Sequence, residues 1–359
     1  MQGTTTNRRA LLGSVCALGP LAALRRLLAR AGVATGPLGI CAFSCHQHWR
    51  AVAAGHEGTR FADTAGFFRY ARELGADGIQ APLRGSDPAA LRALVEECAG
   101  YYEASLRLPD ADGGTDAFDR ELRHAREAGA EVARTILMGG RRYEVFKSLE
   151  DFRTFHRQAK RTLERIEPLA RKRRLRIAVE NHKDLVSEEL VALMESLSSE
   201  WIGVLVDTGN NLSLLEDPDD TVAALAPYAQ SVHLKDMAVQ PDAGGFLLSE
   251  TPLGTGMIDL VATVAALRRA RPGIAVNLEM ATRDPLRVPC LDDGYYATFP
   301  ERRATHLAPA LERVSANPPR GPVPAVAGKP LDRVLAEEEE NNRRGLGWMR
   351  RELPSPPEA

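Results

Sequence analysis

An apolar run that ends in polar groups stands near the middle of the chain and reads Ile177-Ala178-Val179-Glu180-Asn181-His182. Side chains two apart in a β-strand point to the same face of a sheet. Ala178, Glu180 and His182 therefore share one face, while Ile177 and Val179 share the other. We interpret the run as a buried strand whose apolar face packs against helices and whose opposite face carries a carboxylate.

Three later runs repeat this pattern. They read Val204-Leu205-Val206-Asp207-Thr208-Gly209-Asn210, Ser231-Val232-His233-Leu234-Lys235-Asp236 and Ala275-Val276-Asn277-Leu278-Glu279. Asp207 follows Glu180 by 27 residues and His233 follows Asp207 by 26, intervals that each fit one strand plus one helix. Glu279 follows His233 by 46 residues, so this interval needs an insertion, which residues 238–256 supply.

The rest of the sequence alternates short apolar runs with longer amphipathic ones, which predicts parallel βα units. Candidate strands lie at 39–46, 77–82, 101–107, 132–138, 175–181, 202–207, 231–235 and 274–279, and candidate helices at 61–75, 87–99, 117–129, 149–173, 187–198, 218–228, 257–271 and 301–314. Asp-Pro pairs at 87–88 and 217–218 predict helix starts. The predicted fold is α/β, a (β/α)8 TIM barrel with a C-terminal extension.

The two ends of the chain differ from the barrel in composition. Residues 1–35 place Arg8 and Arg9 before an apolar run and resemble a twin-arginine export signal, so we expect a periplasmic or otherwise exported protein. The alternative is an amphipathic helix of a cytoplasmic protein. Residues 36–316 form the predicted catalytic barrel, and residues 317–359 read as a Pro/Gly-rich linker and a C-terminal helix.

Charge and cysteine content restrict the partners. The formal net charge is −2, which provides no strong attraction to nucleic acid or an anionic membrane. The apolar run in residues 1–35 is too short and too basic at its flanks for a stable membrane span. Five cysteines form no CxxC pair, and Cys41 and Cys45, placed on one predicted strand, would lie too far apart for a disulfide. We therefore expect a small-molecule partner rather than nucleic acid or a membrane, and the sequence is compatible with a homo-oligomer.

Four of these strands end in groups that bind divalent metals. Glu180, Asp207, His233 and Glu279 would meet at the C-terminal rim of the barrel, where such barrels carry out their chemistry. Clustered carboxylates repel one another unless a cation or a proton is present. We therefore predict one divalent ion, Mn²⁺, Mg²⁺, Co²⁺ or Zn²⁺, held by these four side chains. The ligand set contains no cysteine and leaves coordination positions open, which favours a catalytic over a structural site.

These motifs resemble the xylose-isomerase-like TIM-barrel superfamily, which includes epimerases of the tagatose 3-epimerase type, inosose dehydratases and endonuclease IV. The resemblance rests on the last four predicted strands, roughly a third of the chain. It implies that Glu180, Asp207, His233 and Glu279 hold the ion. It also implies that the partner is a small carbohydrate or polyol, and that Glu180 and Glu279 act as acid and base at the carbon beside its carbonyl, through an enediolate. The histidine that the tagatose type has shortly after the residue matching Asp207 is absent here.

Further residues are candidates for substrate binding because they stand near the predicted mouth or share an inward strand face: His182, Lys235, Asp236, Arg283, Glu103 and His46. Some of them have structural alternatives. Lys235 could form a salt bridge to Asp236 or to another carboxylate of the mouth, and Arg283 could be a surface arginine.

The leading functional hypothesis is a metal-dependent sugar isomerase or epimerase. The alternative within the same chemistry is a lyase or dehydratase of a keto-sugar or keto-inositol, including 3-keto-glycoside elimination. An endonuclease IV-like nuclease would need more histidine ligands and a basic surface, and the chain has eight histidines and no net positive charge. A barrel that only binds ligands is disfavoured because all four ligand types are retained.

Overall fold

The computed structural model describes residues 36–353, so the export signal predicted for residues 1–35 lies outside the described residues. Eight parallel strands close into a barrel, which confirms the predicted fold class. The barrel strands are β1 (Leu38–Cys41), β2 (Gly78–Ala81), β3 (Tyr101–Ser105), β4 (Val132–Thr135), β5 (Arg176–Glu180), β6 (Ile202–Asp207), β7 (Ala229–Leu234) and β10 (Val276–Leu278). A second, antiparallel sheet consists of β8 (Asp236–Asp242), β9 (Gly245–Thr251) and β11 (Leu286–Val288).

Nine of the eleven α-helices within residues 36–353 lie at or close to positions expected from the sequence, whereas those at His46–Ala53 and Arg142–Val145 were not predicted. The helices are α1 (His46–Ala53), α2 (Thr64–Glu73), α3 (Pro88–Glu97), α4 (Asp116–Glu127), α5 (Arg142–Val145), α6 (Leu149–Arg173), α7 (Ser187–Leu197), α8 (Pro218–Leu225), α9 (Leu260–Ala270), α10 (Arg302–Ala316) and α11 (Leu331–Glu352). Asp87 caps α3 by accepting a hydrogen bond from the Ala90 amide at 2.9 Å. Asp217 caps α8 through the Asp219 amide at 2.8 Å. Both predicted Asp-Pro helix starts are therefore confirmed.

The first strand is shorter than predicted. It ends at Cys41, residues 42–45 form a 3-10 helix, and α1 begins at His46, so Cys45 is not on the strand. The Ser44 hydroxyl donates to the Leu278 carbonyl at 2.8 Å and accepts from the Met280 amide at 3.0 Å. These hydrogen bonds connect the 3-10 helix after β1 to the end of β10 at the barrel rim. A sequence pattern within residues 39–46 cannot reveal bonds to a strand more than 230 residues away.

The inserted segment between His233 and Glu279 is a sheet rather than an irregular loop. Strands β8 and β9 pair as an antiparallel hairpin, and β11 pairs with β9. This sheet, called the arm here, consists of residues 236–251 and 286–288. It follows directly from the end of β7, so its first residues start at the mouth of the barrel.

Side-chain alternation divides the barrel into two environments, as predicted. Ile177 and Val179 on β5, like Val206 on β6, belong to the main apolar core between strands and helices. Ala178 and Leu205 form a separate small cluster with Val132 inside the barrel. The strand phase read from the sequence therefore correctly assigned the inward and outward faces.

The floor of the barrel is closed by one aromatic side chain. The Tyr101 hydroxyl donates to Asn277 Oδ1 at 2.8 Å. A Cβ atom at Gly39 would overlap that hydroxyl, and one at Gly78 would overlap the Tyr101 ring. Both glycines lie on inward-facing positions, so they leave the space that the tyrosine fills.

The C-terminal helix α11 packs directly on the barrel. It contacts β1 and β10, and a Cβ at Gly345 would lie 2.8 Å from the methyl groups of Leu278. The Glu338 carboxylate on this helix is buried and accepts hydrogen bonds from the amides of Gln47 at 2.8 Å and His48 at 3.0 Å. A carboxylate at a helix start satisfies free amides and favours the helix dipole. The helix α11 therefore fixes the start of α1.

Among residues 36–353, no helix combines the length and the apolar character needed to cross a membrane.

We expect Glu338→Ala to destabilise the protein by about 3 kcal/mol, because each buried amide left without a partner costs roughly 1–3 kcal/mol. The measurement is the free energy of unfolding from chemical denaturation. Glu340→Ala is the matched control, since Glu340 is an exposed carboxylate of the same helix. Equal destabilisation by the two substitutions would contradict the proposed capping by Glu338.

Candidate metal centre

Four side chains converge at the C-terminal end of the barrel. Glu180, Asp207, His233 and Glu279 each offer one ligand atom, and these four atoms all lie within 4.8 Å of one another. All four side chains are buried. They come from the ends of β5, β6, β7 and β10, the four strands from which the sequence predicted ligands. The structure therefore contains a metal-binding group of two glutamates, one aspartate and one histidine.

Three of the ligand atoms have no hydrogen-bond partner among the described residues. They are His233 Nδ1, Glu279 Oε2 and Asp207 Oδ2, the last of which has an ion pair with the Lys235 ammonium at 3.1 Å. His233 Nδ1 is 3.9 Å from Asp207 Oδ2 and 3.7 Å from Glu180 Oε2, and it also contacts Glu279 Oε2. Buried polar atoms are normally paired. Converging buried acceptors without hydrogen bonds fit a divalent cation.

A second layer of polar residues sets the orientation of the imidazole. His233 Nε2 lies 2.6 Å from Gln80 Oε1, and Gln80 Nε2 donates to Glu103 Oε2 at 2.9 Å. Because a carboxylate only accepts, the amide nitrogen of Gln80 faces Glu103 and its oxygen faces His233. The Nε2 atom then carries the proton, which leaves the Nδ1 lone pair directed towards the carboxylates.

Glu103 also accepts hydrogen bonds from Ser231 at 2.6 Å and from Asn277 at 3.0 Å. Burial raises the pKa of the Glu103 carboxyl, although these hydrogen bonds oppose the rise. The side chain lies in the layer beneath the ligands. Glu103 therefore supports the centre through its hydrogen bonds to Gln80, Ser231 and Asn277.

The Asp207 and Glu180 carboxylates each have one oxygen fixed by hydrogen bonds and the other directed into the ligand cluster. Asp207 Oδ1 accepts from the amides of Gly209 at 2.9 Å and Asn210 at 2.8 Å. Asn210 Nδ2 donates to Glu180 Oε1 at 3.0 Å. The Gly209–Asn210 turn that follows β6 thus orients two ligands at once, leaving Asp207 Oδ2 and Glu180 Oε2 within the ligand cluster.

Two cations neutralise the buried carboxylates. Arg134 Nε donates to Glu180 Oε2 at 2.7 Å, and the Lys235 ammonium lies 3.1 Å from both Asp207 Oδ2 and Glu279 Oε1. Burial would raise the pKa of Glu180, but chiefly Arg134 brings it below its ordinary value. Burial likewise opposes ionisation of Glu279, but chiefly the Lys235 ammonium keeps the pKa of Glu279 low. Both glutamates are therefore ionised at neutral pH.

Three other predicted residues lie at the mouth. His182 has no hydrogen-bond partner for Nδ1 among residues 36–353, and burial lowers its pKa to about 4. Arg283 forms a two-bond ion pair with Glu250 of the arm, which stands 3.8 Å from Lys235. His46 stacks on the Phe43 ring with centroids 5.0 Å apart. It belongs to the start of α1 rather than to the end of a strand.

Asp236, also predicted as a substrate-binding residue, has both carboxylate oxygens bound to backbone amides. Its Oδ1 accepts from the amides of Met237 at 3.0 Å and Ile258 at 3.2 Å. Its Oδ2 accepts from Gly254 at 2.9 Å and Gly256 at 2.8 Å. Both oxygens are therefore occupied by backbone amides, and the side chain anchors the loop after the arm.

Sequence reasoning missed several residues of the site: Gln80, Arg134, Lys183, Asn210 and Glu250. Side-chain alternation along the strands could have indicated two of them, because Gln80 on β2 and Arg134 on β4 both point into the barrel. No comparable sequence pattern indicates Glu250, because its position 3.8 Å from Lys235 depends on how the arm folds.

The chain is similar to known proteins over most of the barrel. A family model described as "Xylose isomerase-like TIM barrel" matches residues 68–294. The 3-oxo-isoapionate decarboxylase of Pectobacterium atrosepticum is 27% identical over 96 residues, which are 26% of this chain and 35% of that protein. The chain covers about a third or less of the length of the two curated relatives that it matches.

Solved structures share the fold at low sequence identity. D-psicose 3-epimerase from Clostridium cellulolyticum superposes with a TM-score of 0.57 at 13% identity, covering 88% of this chain and 99% of that one. The 3-keto-D-glucoside 4-epimerase YcjR from Escherichia coli gives 0.51 at 14% identity, covering 72% and 97%. Because the family model matches more than half of the sequence and the fold agrees, the chain belongs to the xylose isomerase-like TIM-barrel family.

Proposed function

We propose that the protein is a divalent-metal-dependent isomerase or epimerase that moves a proton beside the carbonyl of a sugar or related polyol. The observation that supports it most is the convergence of Glu180, Asp207, His233 and Glu279 with three buried atoms that lack hydrogen bonds. An enzymatic role also agrees with family relatives whose names denote epimerases and a decarboxylase.

The four converging side chains would hold the ion, which when bound would polarise a substrate carbonyl and make the adjacent C–H more acidic. Glu180 and Glu279 are the acid and base in this proposal. Arg134 keeps Glu180 ionised, and Lys235 keeps Glu279 ionised, so either carboxylate can accept a proton. Because the site is buried, bulk water competes little for the reacting carbon.

Groups at the mouth would orient the substrate. His182 is neutral at pH 7 because burial lowers its pKa to about 4, and its Nδ1 is free among the described residues to bond a hydroxyl. Phe43 is 44% exposed beside His46, and Arg283 lies 5.9 Å from its ring. An exposed aromatic face at this position would pack against the C–H face of a sugar ring.

Elimination from a keto-sugar, a keto-inositol or a 3-keto-glycoside is the second candidate. It begins with the same proton abstraction and ends with loss of a leaving group instead of return of the proton. Support for this candidate comes from one curated relative that is named for a bond-cleaving reaction, the 3-oxo-isoapionate decarboxylase. The products distinguish the two candidates.

The test is to incubate the Mn²⁺-loaded protein in D₂O with ketoses, keto-inositols and 3-keto-glycosides and to follow C–H exchange by NMR. Exchange with a changed configuration or a moved carbonyl supports isomerisation or epimerisation. Release of water or of the glycosidic group supports elimination. No exchange on any of these substrates would reject both candidates.

We expect Glu279→Gln to slow C–H exchange by about 10²–10⁴-fold, because general acid–base groups contribute that much. Glu340→Gln, which alters an exposed carboxylate of α11, should leave the rate unchanged. A parallel Mn²⁺ titration shows whether the variant still binds the ion. Full exchange activity in Glu279→Gln would rule out the acid–base role of this side chain.

We expect Gln80→Leu to weaken Mn²⁺ binding by about 10–100-fold, as substitutions of groups that orient metal ligands generally do. Leucine cannot accept a hydrogen bond from His233 Nε2–H, so the imidazole loses its fixed orientation. Calorimetric titration with Mn²⁺ measures the change. Gln158→Leu on the exposed side of α6 is the matched control, and equal affinities of the two variants would count against the second-layer role.

We further propose export through the twin-arginine segment. Arg8→Lys/Arg9→Lys should retain the protein in the cytoplasm of a bacterium with a twin-arginine system, whereas the unaltered chain should reach the periplasmic fraction. Arg25→Lys/Arg26→Lys is the matched control. Equal distribution of the unaltered chain and the Arg8/Arg9 variant would contradict the proposal.

A further inference from the structure

Lys183 is a buried ammonium that the metal centre leaves unused. Its residue is 5% exposed and its backbone has φ 81, in the left-handed region that non-glycine residues rarely adopt. Such conformations persist only where the surroundings enforce them, and they are frequent at ligand sites. The loop after β5 thus holds this lysine inside the mouth at an energetic cost.

The Lys183 ammonium has one polar partner and no ion-pair partner. It donates to Asn210 Oδ1, and no carboxylate of residues 36–353 lies within ion-pair distance of it. An ammonium has three donors, so two remain unused. Burial, then the positive charges of Lys235 and Arg283, lower the pKa of Lys183 to about 8.

The partner of Lys183 places it beside the reacting centre. Asn210 Oδ1 also accepts from Lys235 at 3.0 Å, and Asn210 Nδ2 donates to Glu180 Oε1 at 3.0 Å. Two ammonium groups therefore meet at one amide oxygen, and the same amide touches a predicted acid–base residue. Both lone pairs of that oxygen are taken, so Asn210 has no further acceptor to offer Lys183.

The other cations of the mouth already have carboxylate partners. Lys235 lies 3.1 Å from Asp207 and from Glu279, Arg134 is bonded to Glu180, and Arg283 is bonded to Glu250. Among the described cations at this mouth, Lys183 is the one without a counter-charge. A buried unpaired charge is costly, and an anionic ligand would remove that cost.

We propose that Lys183, held in place by Asn210, forms a carboxylate subsite, so that the substrate is an oxo sugar acid rather than a neutral ketose. This inference rests on the proposed function and specifies its substrate class. A carboxylate fits better than a phosphate, because the arginines that would grip a phosphate with two bonds are engaged with Glu180 and Glu250.

The test compares binding of two matched pairs, D-arabinonate with D-arabinitol and D-gluconate with D-glucitol, to the Mn²⁺-loaded protein by calorimetry. Within a pair the compounds differ in a carboxylate against a hydroxymethyl group. We expect each sugar acid to bind at least about tenfold more tightly, the effect of one charge-assisted hydrogen bond. Equal affinities within both pairs, or no binding of either acid at millimolar concentration, would overturn the proposal.

Variants of Lys183 assign the effect to this side chain. Lys183→Met should remove the preference for the acid over the alditol within each pair. Lys183→Gly should do the same and also suits the positive φ, so it guards against misfolding of the first variant. Lys147→Met, which removes an exposed lysine, should keep the preference. An unchanged preference in both Lys183 variants would overturn the assignment.

Failure of this inference and failure of the proposed function give different results. Mn²⁺ titration of each variant reports whether the metal-binding group is intact. C–H exchange on neutral ketoses with no preference for acids would support the proposed function and refute the subsite. A clear preference for acids without exchange on any sugar or sugar acid would support an anion site and refute the proposed reaction.

Discussion

The mouth of this barrel must hold three carboxylates in a buried space. Glu180, Asp207 and Glu279 have oxygens within 4.8 Å of one another, and in such surroundings like charges strongly oppose ionisation. Arg134 and Lys235 compensate most of that repulsion, and the imidazole of His233 lies between the carboxylates. The remaining features of the site follow from keeping these groups both ionised and oriented.

The parts of the chain outside the eight strands serve this requirement. The arm delivers Glu250, which binds Arg283 and stands 3.8 Å from Lys235, so it adds a carboxylate where cations are crowded. At the other side, Glu338 on α11 fixes the start of α1 and therefore the position of His46. The rim is thus built by segments that are far apart in sequence. Each segment contributes charges or hydrogen bonds that the strands alone do not supply to the mouth.

Period-two alternation explains what could be predicted. Each ligand stands two residues from another inward residue on a strand with apolar outward neighbours, so strand phase alone placed Glu180, Asp207 and His233 on one surface. Contacts between distant segments explain what could not. Gln80 and His233 are separated by 153 residues, and the Asp236 carboxylate accepts hydrogen bonds from amides of a loop about 20 residues further along the chain. Lys183 follows a recognised motif, but its lack of a counter-charge is a property of the folded mouth.

The interior beneath the metal centre is polar, whereas an apolar interior would be cheaper to bury. Glu103 Oε2 accepts hydrogen bonds from Gln80, Ser231 and Asn277, and Asn277 in turn accepts from Tyr101 on the floor. Three donors on one oxygen suit a carboxylate that carries its charge, because an ionised oxygen is the stronger acceptor. If Glu103 were replaced by an apolar side chain, the Gln80 amide could present either its oxygen or its nitrogen to His233. The buried charge of Glu103 therefore fixes the orientation of the Gln80 amide, and this amide fixes the tautomer of the His233 imidazole. The cost of burying Glu103 is offset because the His233 nitrogen then points at the carboxylates.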